Sequence, residues 1–171
     1  MRRAIAVMMM LLCVVSASFA QGGGKPKIGV YMTGGGDLPE YRQLSSLMQS
    51  AFNEREWRGV ISVYERSGAD IQEVVDRELE KQKDGSVDRK NYVICQAGKQ
   101  APVQYVCVGE ILSSSLGVTL SVRILDVNTA RVVGPEVVEI DGEPTLTEMK
   151  KTMKDALAQI RTPFVRMLEG R

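Results

Sequence analysis

The strongest constraint on the fold of this chain is an alternation of apolar and polar residues from Val118 to Ile124, within the segment VTLSVRILDV that ends at Val127. Residues at every second position of a β-strand point to the same face of the sheet. The residues from Asn128 to Ala130 predict a turn, after which the chain returns through Arg131–Val133. Glu136–Ile140 continues this return strand past Pro135. The segment therefore predicts an antiparallel hairpin as part of the sheet.

Helices and further strands surround this hairpin. Alternating apolar residues predict three more strands, at Lys27–Thr33, Val60–Glu65 and Gln104–Ile111. Apolar residues at helical spacing predict four helices: Tyr41 to about Arg55, Ser67 to about Gln82, about Arg89 to Lys99, and a last one opened by the capping box Thr145–Glu148. Pro163 is expected to bend or end that last helix. The predicted order βαβααβββα belongs to the α/β (α+β) class, a mixed β-sheet with flanking helices.

The first 20 residues, MRRAIAVMMMLLCVVSASFA, have the three parts of a secretory signal peptide. Two arginines form a basic start, an apolar run follows, and small residues lead up to Ala20. We therefore predict export, with cleavage between Ala20 and Gln21. An N-terminal membrane anchor is the alternative, but a span needs about 20 apolar residues and this run is shorter. Lipidation at Cys13 is disfavoured because Leu12 stands where such sites have a small residue.

The rest of the chain has the length and charge of one ordinary domain. We predict a flexible tether at residues 21–26 and a single α/β domain with a C-terminal helix at residues 27–171. Of the 22 basic residues, two leave with the leader, so 20 remain against 21 acidic ones. This nearly neutral charge predicts no binding to nucleic acid. No later apolar run reaches the length of a membrane span, so no transmembrane segment is predicted after cleavage.

The complete lack of histidine excludes several classes of chemistry. Ser-His-Asp and Cys-His catalytic arrangements, histidine-ligated zinc and imidazole acid–base catalysis all need that side chain. The acidic residues of the second predicted helix are spread around it by their spacing rather than paired for acid–base work. We therefore predict no catalytic residue, no metal ligand and no cofactor.

Two cysteines remain after the leader, Cys95 and Cys107. Two thiols are too few for a zinc site, but an exported protein can join them in a disulfide. The sequence places Cys95 on a helix and Cys107 on the strand that follows it. Packed layers lie about 10 Å apart, whereas bridged Cα atoms lie about 5.5 Å apart. Buried free thiols are the favoured prediction, and a Cys95–Cys107 disulfide is the alternative.

A run of three glycines follows the first strand, in the sequence TGGGDLPE. A glycine-rich turn between a strand and a helix can cradle a phosphate. The candidate anion-binding residues are Thr33, Gly34, Gly35, Gly36 and Asp37. The lysine and the Ser or Thr that a P-loop places after its glycines are missing, and the acidic residues found instead suit the start of a helix. The favoured prediction is a structural turn, and small-ligand or nucleotide binding by residues 33–37 is the alternative.

Four stretches together resemble one family of bacterial envelope proteins. In chain order they read KIGVYMTGG, VYERSGADIQEVVDRE, AGKQAPVQYVCVGEI and SVRILDVNTARVV. That family includes the penicillin-binding-protein activator LpoB and the curli secretion protein CsgG. The resemblance, which spans Lys27–Ile140, implies a compact α/β domain of the kind shared with the amino-terminal domain of TolB. It also implies residence in the periplasm or envelope of a Gram-negative bacterium, association with the outer membrane through partners, and action by protein contact without catalysis.

Three departures from the family pattern limit what the resemblance implies. Relatives are commonly lipoproteins, and the leader here lacks the lipid site. Ala101-Pro102 stands where the family usually has a glycine before the strand. The chain is also short of the membrane-inserting hairpin that a secretion pore needs.

Three segments are candidate partner contacts. Their residues are Arg42, Gln43 and Gln49 on the first helix, Glu65 and Arg66 after the second strand, and Asn128 to Arg131 in the hairpin turn. A solvated charge pair is the alternative for Glu65 and Arg66. The predicted function is an exported, non-enzymatic interaction domain that contacts another envelope protein, as a regulator of a cell-wall synthase or as an accessory of envelope assembly or secretion.

Overall fold

The computed structural model describes residues 24–34, 41–64, 67–80 and 87–170, and in them five strands form one mixed sheet. The strands are β1 (Lys27–Gly34), β2 (Ser62–Val63), β3 (Tyr105–Ser113), β4 (Gly117–Asp126) and β5 (Val132–Asp141). The helices are α1 (Tyr41–Phe52), α2 (Arg55–Arg58), α3 (Ser67–Glu80), α4 (Val87–Gln100) and α5 (Leu146–Glu169). The leader, its predicted cleavage site and the first half of the tether lie outside the described residues.

The sheet has a parallel half and an antiparallel half. Its strand order is β2-β1-β3-β4-β5, and β1 pairs in parallel with both β2 and β3. The last three strands are antiparallel, with β4 and β5 forming the predicted hairpin. Parallel neighbours need crossover connections, which the helices between them supply. The predicted class, a mixed sheet with flanking helices, is confirmed.

Helices cover both faces of the sheet, and each face has its own core. One core packs α1, α2 and α5 against residues such as Val30, Cys107 and Ile124. The other packs α3 and α4 against Tyr31, Val106 and other residues that point the opposite way. The alternation in β4 places Val118, Leu120, Val122 and Ile124 in the first core, as their spacing predicted.

The first predicted helix and the second predicted strand differ from the structure. The helix ends at Phe52 rather than near Arg55, because Glu54 takes an extended conformation before the one-turn helix α2 begins. The second strand has two residues instead of six. The N–H groups of Val60 and Ile61 both donate to Trp57 O at the end of α2, so they are not available to the sheet. Beyond this short strand α3 borders β1, where Met32 N donates to Gln72 Oε1 at 3.2 Å.

The last helix begins as predicted and runs further than predicted. Thr145 and Glu148 form the capping box, but the helix continues through Pro163 to Glu169. Proline removes one backbone hydrogen bond from a helix, at a cost of about 3 kcal/mol. Beyond the proline, Phe164 is fully buried and meets Tyr105 edge to face at 4.9 Å between ring centroids. This packing holds the final turns in place, so the helix does not end at Pro163, and the alternative expectation of a bend there stays a prediction.

Within the described part of the chain, no helix combines the length and the apolar character that crossing a bilayer requires.

Candidate functional site

The face of the antiparallel half that lies opposite α5 is only partly covered by the described helices, because α4 reaches β3 and β4 but leaves other side chains of this face exposed. The helix α5 packs against one face of β4 and β5. Because successive side chains of a strand point to opposite faces, every second residue of these strands points away from α5. On the face opposite α5, Leu112, Val132 and Val137 are 58%, 42% and 54% exposed. In the strand register Leu112 lies opposite Thr119, and Val137 lies opposite Ser121. We call this surface, formed by Leu112, Thr119, Ser121, Val132 and Val137, the open face.

A cluster of charged side chains lies where α4 borders the open face. Arg123 of β4 is 6% exposed, and its Nε donates to Asn91 Oδ1 at 3.2 Å. Its guanidinium also pairs with Glu110 of β3 at 3.4 Å, and Lys90 Nζ reaches the same carboxylate at 3.5 Å. Buried charges are tolerated when they are paired and hydrogen-bonded in this way. The alternation predicted a polar, outward-facing residue at position 123, but the sequence carries no signal that a helix would cover it.

The hairpin turn presents exposed side chains on a hydrogen-bonded backbone. Asp126 is buried, and its Oδ1 accepts from the N–H groups of Asn128 at 2.9 Å and Thr129 at 3.1 Å. The carbonyl oxygen of Asp126 accepts from Ala130 N at 2.9 Å. The side chains from Asn128 to Arg131 are all exposed. The turn therefore offers a fixed surface for contact, at the edge of the sheet where β3 begins.

The other predicted contact residues do not join this turn. On α1, Gln43 is exposed and Gln49 is half-buried, while the side chain of Arg42 lies outside the described part. Gln43 is in the first turn of α1, which follows the carboxyl end of β1, whereas the hairpin turn adjoins the beginning of β3. Glu65 and Arg66 are also outside the described residues. Contact by these side chains stays a prediction.

The glycine run begins at a position where the backbone itself requires glycine. Gly34 has a φ of +81°, and a Cβ at this position would lie 1.9 Å from Ile111 O on the neighbouring strand. Thr33 is half-buried and pairs with Glu110 in the sheet. Gly35, Gly36 and Asp37 are not among the described residues. The geometry explains Gly34 without a ligand, and anion binding by the remaining loop stays a prediction.

Two surface cavities of the described part lie away from Thr33 and Gly34. The larger, of about 330 Å³, lies between α3 and α4 and is lined by Tyr64, Glu73, Arg77, Gln100 and other residues. The smaller, of about 160 Å³, lies where β4 meets β5 and includes Leu116, Thr119 and Glu139. Neither cavity is lined by Thr33 or Gly34.

The two thiols are free, buried and separated by the sheet. Cys107 belongs to the core under α1 and α5, and Cys95 to the core under α4. The disulfide alternative is thus absent from the structure, because the sheet stands between the two side chains. Burial raises the pKa of both thiols; a weaker opposing effect comes from Arg123 near Cys107 and from Lys99 near Cys95. Over the described ranges, no three side chains of metal-ligating type come together.

No protein-family model and no curated protein sequence matches the chain. Solved structures with distant similarity include TolB from Acinetobacter baumannii, with a TM-score of 0.46 and 15% identity over 81% of this chain. They also include the LpoB C-terminal domain from Salmonella enterica, with a TM-score of 0.40 and 12% identity over 75% of this chain and 90% of that one. The lipoprotein GNA1162 from Neisseria meningitidis has a TM-score of 0.42 and 8% identity over 78% of this chain and 94% of that one. The chain spans 29% of the length of TolB.

Proposed function

We propose that this chain is an exported, non-enzymatic interaction domain of the bacterial cell envelope. The observation that carries the proposal is the open face, where Leu112, Val132 and Val137 are exposed on strands whose opposite side contributes to the core under α1 and α5. Apolar side chains grouped on a surface and rimmed by polar ones are typical of protein contact sites. Here Thr119 and Ser121 of β4 lie between Leu112 of β3 and Val137 of β5, and the charged cluster around Glu110 borders them.

The backbone beneath the open face is ordered by hydrogen bonds. Each strand of the open face is hydrogen-bonded within the sheet, and the turn between β4 and β5 is held by the buried carboxylate of Asp126. Surfaces that are already ordered lose less conformational entropy on binding than flexible ones. The arrangement therefore suits binding to a partner without a large rearrangement.

The cellular part of the proposal rests on the sequence. The leader predicts export, and the four stretches that resemble the LpoB and CsgG family favour an envelope protein as partner. Within that family, regulation of a cell-wall synthase and assistance in envelope assembly or secretion are the two roles that we propose. Neither requires a catalytic residue in this chain.

Site-specific photo-crosslinking in bacterial cells tests the proposal. A photoreactive amino acid replaces Leu112 or Val137 in the full-length protein, and Lys151, which is exposed on α5, is the matched control position. We expect a discrete crosslinked envelope protein from the two open-face positions and not from the control. We also expect the mass of the recovered protein to correspond to a chain that begins at Gln21.

Two results would contradict the proposal. The first is a lack of crosslinking at both open-face positions, together with turnover of a nucleotide or cell-wall substrate by the purified protein. This result would favour the ligand-binding alternative. The second is recovery of the protein from the cytoplasm with the leader still attached.

A further inference from the structure

The strand β5 is an edge strand within the described part of the chain. It pairs with β4 on one side, and no described strand pairs with its other side. Residues Glu136–Ile140 follow a regular antiparallel register, in which Glu136 lies opposite Val122 and Ile140 opposite Val118. An uncovered strand edge offers backbone hydrogen-bonding groups to another chain.

The register shows which backbone groups face outward. Gly142 N donates to Leu116 O at 2.9 Å, so residue 142 directs its backbone groups toward β4. In an antiparallel pair this orientation repeats at every second residue. Glu136, Val138 and Ile140 therefore also face β4. The N–H and C=O groups of Val137, Glu139 and Asp141 point to the free side.

The side chains of the same three residues add a specific chemistry to this edge. Val137, Glu139 and Asp141 are all exposed, and they share the face opposite α5. No ion pair observed in the described residues involves Glu139 or Asp141. The whole segment from Val132 to Met149 contains five acidic residues and no basic one. The edge is therefore anionic, with one exposed apolar side chain at Val137.

These charges oppose pairing with a second copy in the registers that are centred on Glu139 or Asp141. Two β5 strands related by a two-fold axis at Glu139 would bring the two Glu139 carboxylates directly opposite each other. Like charges in this arrangement destabilise a strand pair. At the other end of the strand, the register shift between Val122 and Ile124 and the nearby Pro135 interrupt the edge. The part of the β5 edge that can pair with another strand is thus short, and it favours a positively charged partner strand.

We propose that the outer edge of Glu136–Asp141 binds an extended cationic segment of a partner protein by antiparallel strand addition. In that pairing, basic residues of the partner lie opposite Asp141 and Glu139, and an apolar residue lies opposite Val137. The partner segment reads basic-x-basic-x-apolar from its amino to its carboxyl end. Its backbone bonds to Val137, Glu139 and Asp141 provide affinity, and the side chains provide selectivity. This inference rests on the proposed function and names the chemistry of the partner.

Hydrogen exchange with a synthetic peptide tests the pairing directly. The probe is acetyl-Thr-Lys-Thr-Lys-Thr-Val-Thr-amide, added at up to about 1 mM, a concentration that reveals even weak binding. The control peptides have glutamate in place of lysine, or the same residues in reverse order. At saturation we expect amide exchange of Val137, Glu139 and Asp141 to slow at least about tenfold, because they gain partners. Exchange of Val138 and Ile140, already bonded to β4, stays unchanged.

Two pairs of variants separate the backbone contribution from the charge contribution. Val137→Pro removes an outward N–H without removing a bond to β4, whereas Val137→Thr keeps that N–H. We expect Val137→Pro to weaken peptide binding at least about fivefold more than Val137→Thr, the loss of about one hydrogen bond. Glu139→Lys with Asp141→Lys should abolish preference for the lysine peptide and create preference for the glutamate peptide. Unchanged exchange at Val138 and Ile140 shows that each variant keeps its fold.

The possible failures have different meanings. If the lysine peptide leaves all three amides unprotected, or protects them no better than the glutamate or reversed peptide, the proposed edge pairing is wrong. If Leu112 still crosslinks to an envelope protein in that case, the interaction function stands without it. If the peptide binds as expected but no envelope protein crosslinks in cells, the edge chemistry stands and the proposed cellular function fails.

Discussion

At the scale of single residues, Gly34 is the clearest case in which a neighbouring strand dictates the amino acid. Its φ of +81° lies in the left-handed region, and the space that a Cβ would need is occupied by the carbonyl of Ile111. Gly142 has a similar φ of +71°, but nothing lies within 4 Å of its hypothetical Cβ. The two positions therefore share the conformational strain and differ in the steric conflict.

Replacing each of these glycines with alanine separates the two effects. We expect Gly142→Ala to lower the free energy of unfolding by about 1 kcal/mol, the cost of a left-handed alanine. Gly34→Ala should cost about 3 kcal/mol, because overpacking against Ile111 adds to that strain. Urea denaturation of the two variants and the parent protein provides the measurement. Equal losses would show that β1 moves away from Ile111 easily and that the glycine is not required by packing.

At the scale of elements, the sequence pattern predicted those parts that depend on local signals. The hairpin, the presence of strands β1 and β3 and the capping box at Thr145 all follow from alternation or from local hydrogen-bonding side chains. The strand β2 is shorter than predicted because the N–H groups of Val60 and Ile61, which precede it, donate to Trp57 O. The burial of Arg123 and the free edge of β5 depend on where helices lie in space, so no local pattern reveals them.

Local sequence patterns also fail at Pro163 of α5, because tertiary packing keeps the helix intact past a helix-breaking residue. We expect Pro163→Ala to raise the free energy of unfolding by about 2 kcal/mol. Restoring the backbone hydrogen bond gains about 3 kcal/mol, and the freer unfolded chain offsets about 1 kcal/mol of it. Pro163→Gly restores the same N–H but should gain about 1 kcal/mol less than alanine. Thermal denaturation measures both, and a lower melting temperature for Pro163→Ala would mean that the core beneath α5 requires the proline.

At the scale of the whole molecule, the sheet divides the protein into two cores that hold one thiol each. Cys95 and Cys107 are both free in the structure, and their pKa values are raised by burial. We expect a protein that begins at Gln21 to show two titratable thiols when it is denatured without reducing agent, and almost no reaction in the native state. A count of zero in the denatured protein would mean that the thiols are joined and that the sheet does not separate them as described.

This separation makes the two cysteines independent reporters of partial unfolding. A buried thiol reacts with an alkylating reagent only when its surroundings open, so its rate of modification measures the free energy of that opening. Modification of Cys107 reports the detachment of α1 or α5, whereas modification of Cys95 reports the detachment of α4. A partner that binds along β5 and stabilises only the antiparallel half of the sheet would slow the modification of Cys95 and of Cys107 to different extents. The ratio of the two rates would then show which layer of the molecule the partner stabilises.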